Sequence, residues 1–139
     1  IEEPQDGFPI KARVRHVINE HSRVELCRDA LLANNPYKFG SLMNASHESC
    51  AKDYEINTPE LDNLTQIARE AGAIGARLTG AGFGGCTINL VHKGEVDKFM
   101  EIVEKKYYRD YLGLSSAKGM FIAETAHPAD YIDLKQVLN

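Results

Sequence analysis

The residues best able to do chemistry sit in one stretch, Ala76-Arg77-Leu78-Thr79-Gly80-Ala81-Gly82-Phe83-Gly84-Gly85-Cys86-Thr87, and six of the chain's eleven glycines fall between Gly72 and Gly85. Gly80, Gly82 and Gly85 satisfy the spacing GxGxxG. A dinucleotide fingerprint, however, needs a helix to start at the loop, because the helix N-terminus holds the pyrophosphate. Here Cys86, Ile88 and Leu90 alternate with Thr87, Asn89 and Val91, a strand pattern. Gly75 and Gly80 have the spacing of a P-loop, but Ala81 and Gly82 stand where that loop needs lysine and then serine or threonine. Both phosphate-cradle readings therefore fail. What remains is strand, glycine turn, strand, with residues 76–79 and 86–91 as antiparallel partners. A tight hairpin needs about two such glycines. Four in six residues favour close approach of a ligand or another loop to bare backbone.

Other constellations carry less. Ser46, His47, Ser49 and Asp53 contain the ingredients of a nucleophilic triad, but neighbouring helical positions point apart and no glycine elbow presents a serine. Their expected role is hydrogen bonding to adjacent helices or at a domain interface. His47 and Cys50 lie i, i+3 and could share a metal, yet no third ligand is near. Cys86 reads as a small buried residue starting a strand. His21 and Arg28 interrupt an apolar stripe and are expected at a solvated rim. Lys105-Lys106 reads as a solvated face beside a core Tyr107.

The elements that position the loop follow from periodicity. Ile10 to Ala33 is predicted helical, with Ile10, Val14, Val17, Val24 and Leu31 as its apolar stripe, stopped by Asn34-Asn35-Pro36. A second helix runs from Pro36 to about Cys50, with Phe39, Leu42, Met43, Ser46 and Cys50 on one side. Thr58 caps a third helix, with Pro59 at its first position and Glu60 and Asp62 at the positive end of its dipole; it ends at Gly72. Val96, Phe99, Met100, Val103 and Tyr107 mark a fourth. Gly119–Glu124 is expected as a further strand of the same sheet, and Ala129–Leu138 as a closing segment. Helices first and short strands later give an α+β fold with helices on one face of an antiparallel sheet.

With 139 residues, 43% hydrophobic and 26% charged, the chain has the composition of one globular domain. The net charge of -4 gives no field to gather nucleic acid. No apolar run reaches the roughly 20 residues of a membrane helix, and no leader is recognisable. Three scattered cysteines without a CxxC pair argue against a disulfide framework or zinc knuckle and suit a reducing cytoplasm.

Residues 78–91, Leu-Thr-Gly-Ala-Gly-Phe-Gly-Gly-Cys-Thr-Ile-Asn-Leu-Val, resemble the third, C-terminal motif of the GHMP small-molecule kinases in the form used by galactokinases. Ala12-Arg-Val-Arg-His-Val17, Phe39-Gly-Ser-Leu-Met-Asn-Ala-Ser-His-Glu-Ser49, Asp53-Tyr-Glu and Pro59-Glu-Leu-Asp62 resemble the same subfamily, so the likeness runs from about Lys11 to Glu124. The resemblance implies that residues 1–139 are a GHMP kinase C-terminal domain, a ferredoxin-like sandwich. It implies a cytoplasmic enzyme that transfers the γ-phosphoryl of ATP to O1 of galactose. An N-terminal domain of the same enzyme would be the partner, carrying the sugar pocket, the catalytic aspartate and most contacts to ATP and Mg2+. Gly80, Ala81, Gly82, Gly84 and Gly85 would form the loop beside the phosphate site, flanked by Arg77 and Thr79, with no catalytic residue and no metal ligand in this chain. The fragment alone would be inactive. A valine at Gly82 would project into the space of the phosphate loop and leave this domain folded.

The sequence departs from the subfamily at Cys50-Ala-Lys-Asp53, where members carry Leu-Arg-Asp-Asp. Cys50 with Leu78-Thr-Gly-Ala-Gly82 is also similar to N-acetylgalactosamine kinases, which keeps that sugar open. From another class, a non-catalytic α+β interaction or ligand-sensing module would keep the fold without the reaction.

Overall fold

A computed structural model of the chain describes residues 5, 7–115 and 119–124. Helix α1 spans Ile10–Leu32, α2 Pro36–Ser49, α3 Pro59–Glu70 and α4 Val96–Val103. Between α3 and α4, strands β1 (Gly75–Thr79) and β2 (Cys86–Leu90) pair antiparallel, with Arg77 opposite Ile88 and Thr79 opposite Cys86. Helices α2 and α4 each run on into wider, π-type turns, over Cys50–Tyr54 and Glu104–Tyr111.

The helix boundaries follow from local chemistry. Asn35 accepts from the Lys38 amide at 3.0 Å, with Pro36 pre-set for the first turn of α2. Thr58 accepts from the Leu61 amide at 3.4 Å and Glu60 and Asp62 sit in the first turn of α3. Past the end of α3, Gly72 takes φ +106°, which a side chain would resist.

β1 is the hub. On one edge it pairs with β2. On the other lies α2, whose side chains take two successive outward amides: Ala76 N–H donates to Asn44 Oδ1 at 2.9 Å and Leu78 N–H to His47 Nδ1 at 3.2 Å. One turn earlier, Gly40 touches Gly75 backbone to backbone. Seven residues of helix rise about 10 Å and three residues of strand about 10 Å, so helix and strand keep step and the edge is satisfied without another strand. The core lies across the opposite side. Ala76 packs with Ala68, Phe99, Val103 and Tyr107, and Leu78 with Cys50, Ile56 and Leu61.

Three expectations are corrected. Residues 119–124 form no strand; among the described residues the sheet has two. Met120 packs on the α3–α4 core while Phe121 and Ile122 are exposed, so the apolar run there marks one inward contact and not ladder pairing. The apolar stripe of α1 faces outward: Ile10, Val14, Val17, Val24 and Leu31 are exposed, whereas His16 and Ala30 are buried. The helix docks by a polar stripe because Arg13, Arg15, His16 and Glu20 find partners on α2 or the turn after it. On β2, Ile88 is likewise exposed, because Thr87 and Asn89 face inward opposite Leu78 and Ala76. The expected closing segment Ala129–Leu138 lies outside the described residues.

Candidate functional site

The turn between β1 and β2 is held almost wholly at positive φ: Gly80 +87°, Gly82 +82°, Phe83 +59°, Gly84 +125° and Gly85 +91°. A hairpin closes with far fewer such residues. The glycines divide into two kinds. A Cβ on Gly80, Gly84 or Gly85 would meet nothing within 4 Å, whereas one on Gly82 would stand 2.6 Å from the Ile56 carbonyl oxygen. The expectation for Gly82 is thereby corrected: its side chain would collide within this domain, not only with an outside loop. Next to it, Phe83 N–H donates to Ile56 O at 2.6 Å. The loop is thus seated on one side and bare on the other, with the Phe83 ring 74% exposed at its tip.

The seat has its own support. Ile56 is buried among Cys50, Leu61 and Leu78 and its amide donates to Cys50 O at 3.2 Å, immediately after Glu55 turns the chain at φ +60°. The neighbouring Asn57 donates through Nδ2 to Asp62 Oδ1 at 2.6 Å. Asp62 Oδ1 in turn lies 3.1 Å from Nε2 of His47, a ring that is 4% exposed. Burial pushes the His47 pKa below its ordinary value, Asp62 pulls it back up, and the charges of Arg69 and Arg77 add to the lowering.

The motifs singled out in the sequence converge around α2. From α1, Arg13 pairs with Glu55 and with the Asp53 carbonyl, and Arg15 with the Asp53 carboxylate. The His16 ring stacks on Tyr54 with centroids 4.6 Å apart, and its Nδ1 lies 2.9 Å from Ser49 Oγ. The hydrogen bond from Arg15, above all, holds the Asp53 carboxyl below the usual carboxylate range. Further along α1, Ser46 donates to Glu20 at 2.8 Å and Arg23 pairs with the same carboxylate. Burial pushes the Glu20 pKa up, but Ser46, Arg23 and Arg77 outweigh it and hold the group low.

The triad ingredients are consequently dispersed. Ser46 answers to Glu20, His47 to Leu78, Thr65 and Asp62, and Ser49 donates to Asp53 at 3.3 Å. Arg77 turns from the loop, donating to Leu78 O at 2.9 Å with a nitrogen 4.0 Å from Glu20, while Thr79 is exposed at the loop's entrance. Cys86 corrects another expectation: it starts β2 but is exposed, because it shares the outer face with Ile88. Tyr107 is buried, and His21 and Arg28 are exposed. Sequence reasoning missed Asn44, Ile56, Asn57 and Thr65. Their signal was only proximity to motif residues: Asn44, Asn57 and Thr65 read as helix surface or turn, and Ile56 acts through its backbone carbonyl.

Among the described residues no three His, Cys, Asp or Glu converge to hold a metal, and no helix is long and apolar enough to cross a membrane. Between α1, α2 and β2 an apolar groove of about 600 Å³ lies open, lined by Val24, Leu31, Phe39, Leu42, Met43 and Ile88 among others.

The family model for the C-terminal part of the GHMP kinases matches residues 27–110. The galactokinase of Dictyostelium discoideum is 39% identical over an alignment 134 residues long that covers 83% of this chain and 27% of that protein. The galactokinase of Enterococcus faecalis is 46% identical over 105 residues, 75% of this chain and 27% of its own length. Among solved structures, Lactococcus lactis galactokinase complexed with galactose superposes with a TM-score of 0.71 at 42% identity, covering 78% of this chain and 28% of that one. The L. major mevalonate kinase in complex with R-mevalonate gives a TM-score of 0.62 at 30% identity, covering 67% and 28%. The chain spans about a quarter of the length of these relatives.

Proposed function

Because the chain belongs to the GHMP kinase family as its C-terminal domain, we propose that the full-length protein is a galactokinase, moving the γ-phosphoryl of ATP to O1 of galactose. Galactose is preferred over N-acetylgalactosamine because the relatives described above are named galactokinases. In this reading an N-terminal domain supplies the sugar pocket and the catalytic base. The loop of Gly80, Ala81, Gly82, Gly84 and Gly85 faces the triphosphate across the interdomain cleft.

The observation that carries the proposal is the two-sided loop. Phosphoryl transfer depends on positioning and charge stabilisation more than on covalent chemistry from the protein. Residues of alternating hand, as at Gly80–Ala81–Gly82, can turn successive backbone amides toward an anion. The open space beside Gly80, Gly84 and Gly85 admits a phosphate chain or the loop that carries it, while the contacts of Gly82 and Phe83 with Ile56 keep the glycine loop from shifting. Bound ATP supplies the phosphoryl group and Mg2+ neutralises its developing charge. No residue of this chain is assigned to the metal, which the nucleotide and the N-terminal domain would hold. The outward apolar stripe of α1 and the groove beside it support a partner domain, since such surface is seldom left to water.

A coupled ADP-release assay on the full-length protein tests the proposal. Galactose-dependent turnover is expected, with N-acetylgalactosamine much slower, and none from residues 1–139 alone. Preference for N-acetylgalactosamine would reassign the sugar. Sustained turnover by the short chain would overturn the division of labour. No ATP-dependent turnover of either sugar by the full-length protein would overturn the kinase reading.

A further inference from the structure

We propose that His47 is a positioning residue for the glycine loop, its imidazole fixing both the strand that enters the loop and the segment on which the loop is seated. The catalytic consequence rests on the kinase reading above; the positioning does not.

The protonation pattern of the ring is set by its partners. A backbone amide can only donate, so the Leu78 N–H, 3.2 Å from Nδ1, requires a lone pair there. The proton of the neutral ring then lies on Nε2, where Thr65 Oγ1 is 2.9 Å away. Thr65 passes its own proton to the Asp62 carbonyl at 3.0 Å. Asn57 Nδ2, 3.1 Å from the same ring nitrogen, donates instead to Asp62 Oδ1 at 2.6 Å, so each donor of the chain has an acceptor. Leu78 stands two residues before Gly80. On the other side of the ring, Asp62 receives Asn57, whose neighbour Ile56 accepts the Phe83 amide. One imidazole from α2 is therefore linked to the loop's entry through β1 and to its seat through α3 and Asn57. His47 touches no loop glycine, so its influence is exerted through these neighbours.

Two substitutions separate the halves of the ring. In His47→Asn, Oδ1 stands close to where Nδ1 was and can still accept from Leu78, but the Thr65 side is lost. In His47→Gln, Nε2 reproduces the donor toward Thr65 and Asp62, and the Leu78 amide loses its acceptor. In the full-length protein, kcat for galactose phosphorylation should fall on the order of a hundredfold in His47→Gln, as misplacement by about 1 Å does. It should fall no more than about tenfold in His47→Asn, with KM for galactose little changed in both. Amide hydrogen exchange across residues 78–86 should accelerate at least about tenfold in His47→Gln and much less in His47→Asn, at matched global stability. A merely structural histidine would lower melting temperature and activity together in both variants without separating them.

Equal kcat in the two variants, or unchanged exchange across the loop in His47→Gln, would overturn the inference. Should wild type phosphorylate no sugar, the kinase reading falls while the exchange data still decide the positioning. If neither His47 variant folds, Thr65→Val serves. It preserves shape and removes the Thr65 acceptor, leaving Asp62 Oδ1 at 3.1 Å as the partner of Nε2–H. As in His47→Asn, loop exchange should accelerate by less than about tenfold, and no acceleration at all would overturn the inference.

Discussion

Gly40 and Gly75 meet backbone to backbone: a Cβ on Gly75 would stand 2.5 Å from the Gly40 Cα, and one on Gly40 would stand 2.5 Å from the Ile74 carbonyl oxygen. This contact lets α2 lie close enough to β1 for Asn44 and His47 to reach the strand's outward amides. Alanine in a helix is favoured over glycine by about 0.5–1 kcal/mol, but forcing atoms into a filled core costs about 1–3 kcal/mol. Overpacking should win. Gly75→Ala is expected to destabilise by about 2 kcal/mol or more, and Gly40→Ala somewhat less. The double variant should lose less than the sum, because both side chains force open one gap. Urea unfolding of the four proteins measures the coupling, and strict additivity would mean the two elements separate independently.

The loop glycines should fail in different ways. Each holds a positive φ whose replacement by alanine costs of order 1–3 kcal/mol. Gly82→Ala adds the collision with Ile56 and should be the least stable of the set. Gly84→Ala and Gly85→Ala have room in this domain, so their melting temperatures should fall less while phosphorylation falls most. If Gly84→Ala turns over like wild type, nothing approaches that side of the loop.

Phe83 offers a cleaner separation. At φ +59° a non-glycine residue bears about 1–2 kcal/mol of strain, and the ring is exposed. Phe83→Gly relieves that strain, while the freer unfolded chain takes back about 0.4–1 kcal/mol. Stability should stay within about 1 kcal/mol of wild type. The phosphorylation rate then reports the ring alone: a loss confined to kcat or KM marks contact across the cleft, and no change marks the ring as idle.

Much of this architecture was legible in the sequence, and the exceptions share a cause. Helix ends were readable because Asn35, Thr58 and Gly72 act locally on the backbone. The hairpin was readable because its period changes from helical to alternating at Cys86. Periodicity groups residues onto faces but does not say which face is buried. In α1 the polar face won, since Arg13, His16 and Glu20 find Glu55, Ser49 and Ser46, partners 26 to 42 residues away in the chain. The same limit hid the outward placement of Cys86 and Ile88. Met120 to Ile122 form a short apolar run, which fits a buried strand as well as a single inward contact. The seat of the loop was invisible for a different reason: Ile56 contributes a backbone carbonyl, which leaves no trace in residue type.

The pH dependence of stability isolates His47. Its pKa is lowered in the folded chain, chiefly by burial, with Asp62 opposing and Arg69 and Arg77 assisting. An unfolded histidine takes up its proton near about 6.5. Just below that pH the unfolded state therefore binds more protons than the native one, and stability rises with pH through this window. The contribution is complete above the unfolded value and is lost as pH falls below it. Glu20 and Asp53, whose pKa values are also lowered, act with the same sign but below their ordinary values of 4.5 and 3.8. Unfolding free energies between pH 7.5 and 5 thus sample the histidines. His47→Asn keeps every other titratable group, so the difference between the two curves belongs to His47. The wild-type curve should drop more steeply on acidification than that of His47→Asn. Parallel curves would mean that the ring accepts a proton in the folded domain as readily as in the unfolded chain, and that the Leu78 amide does not require its lone pair.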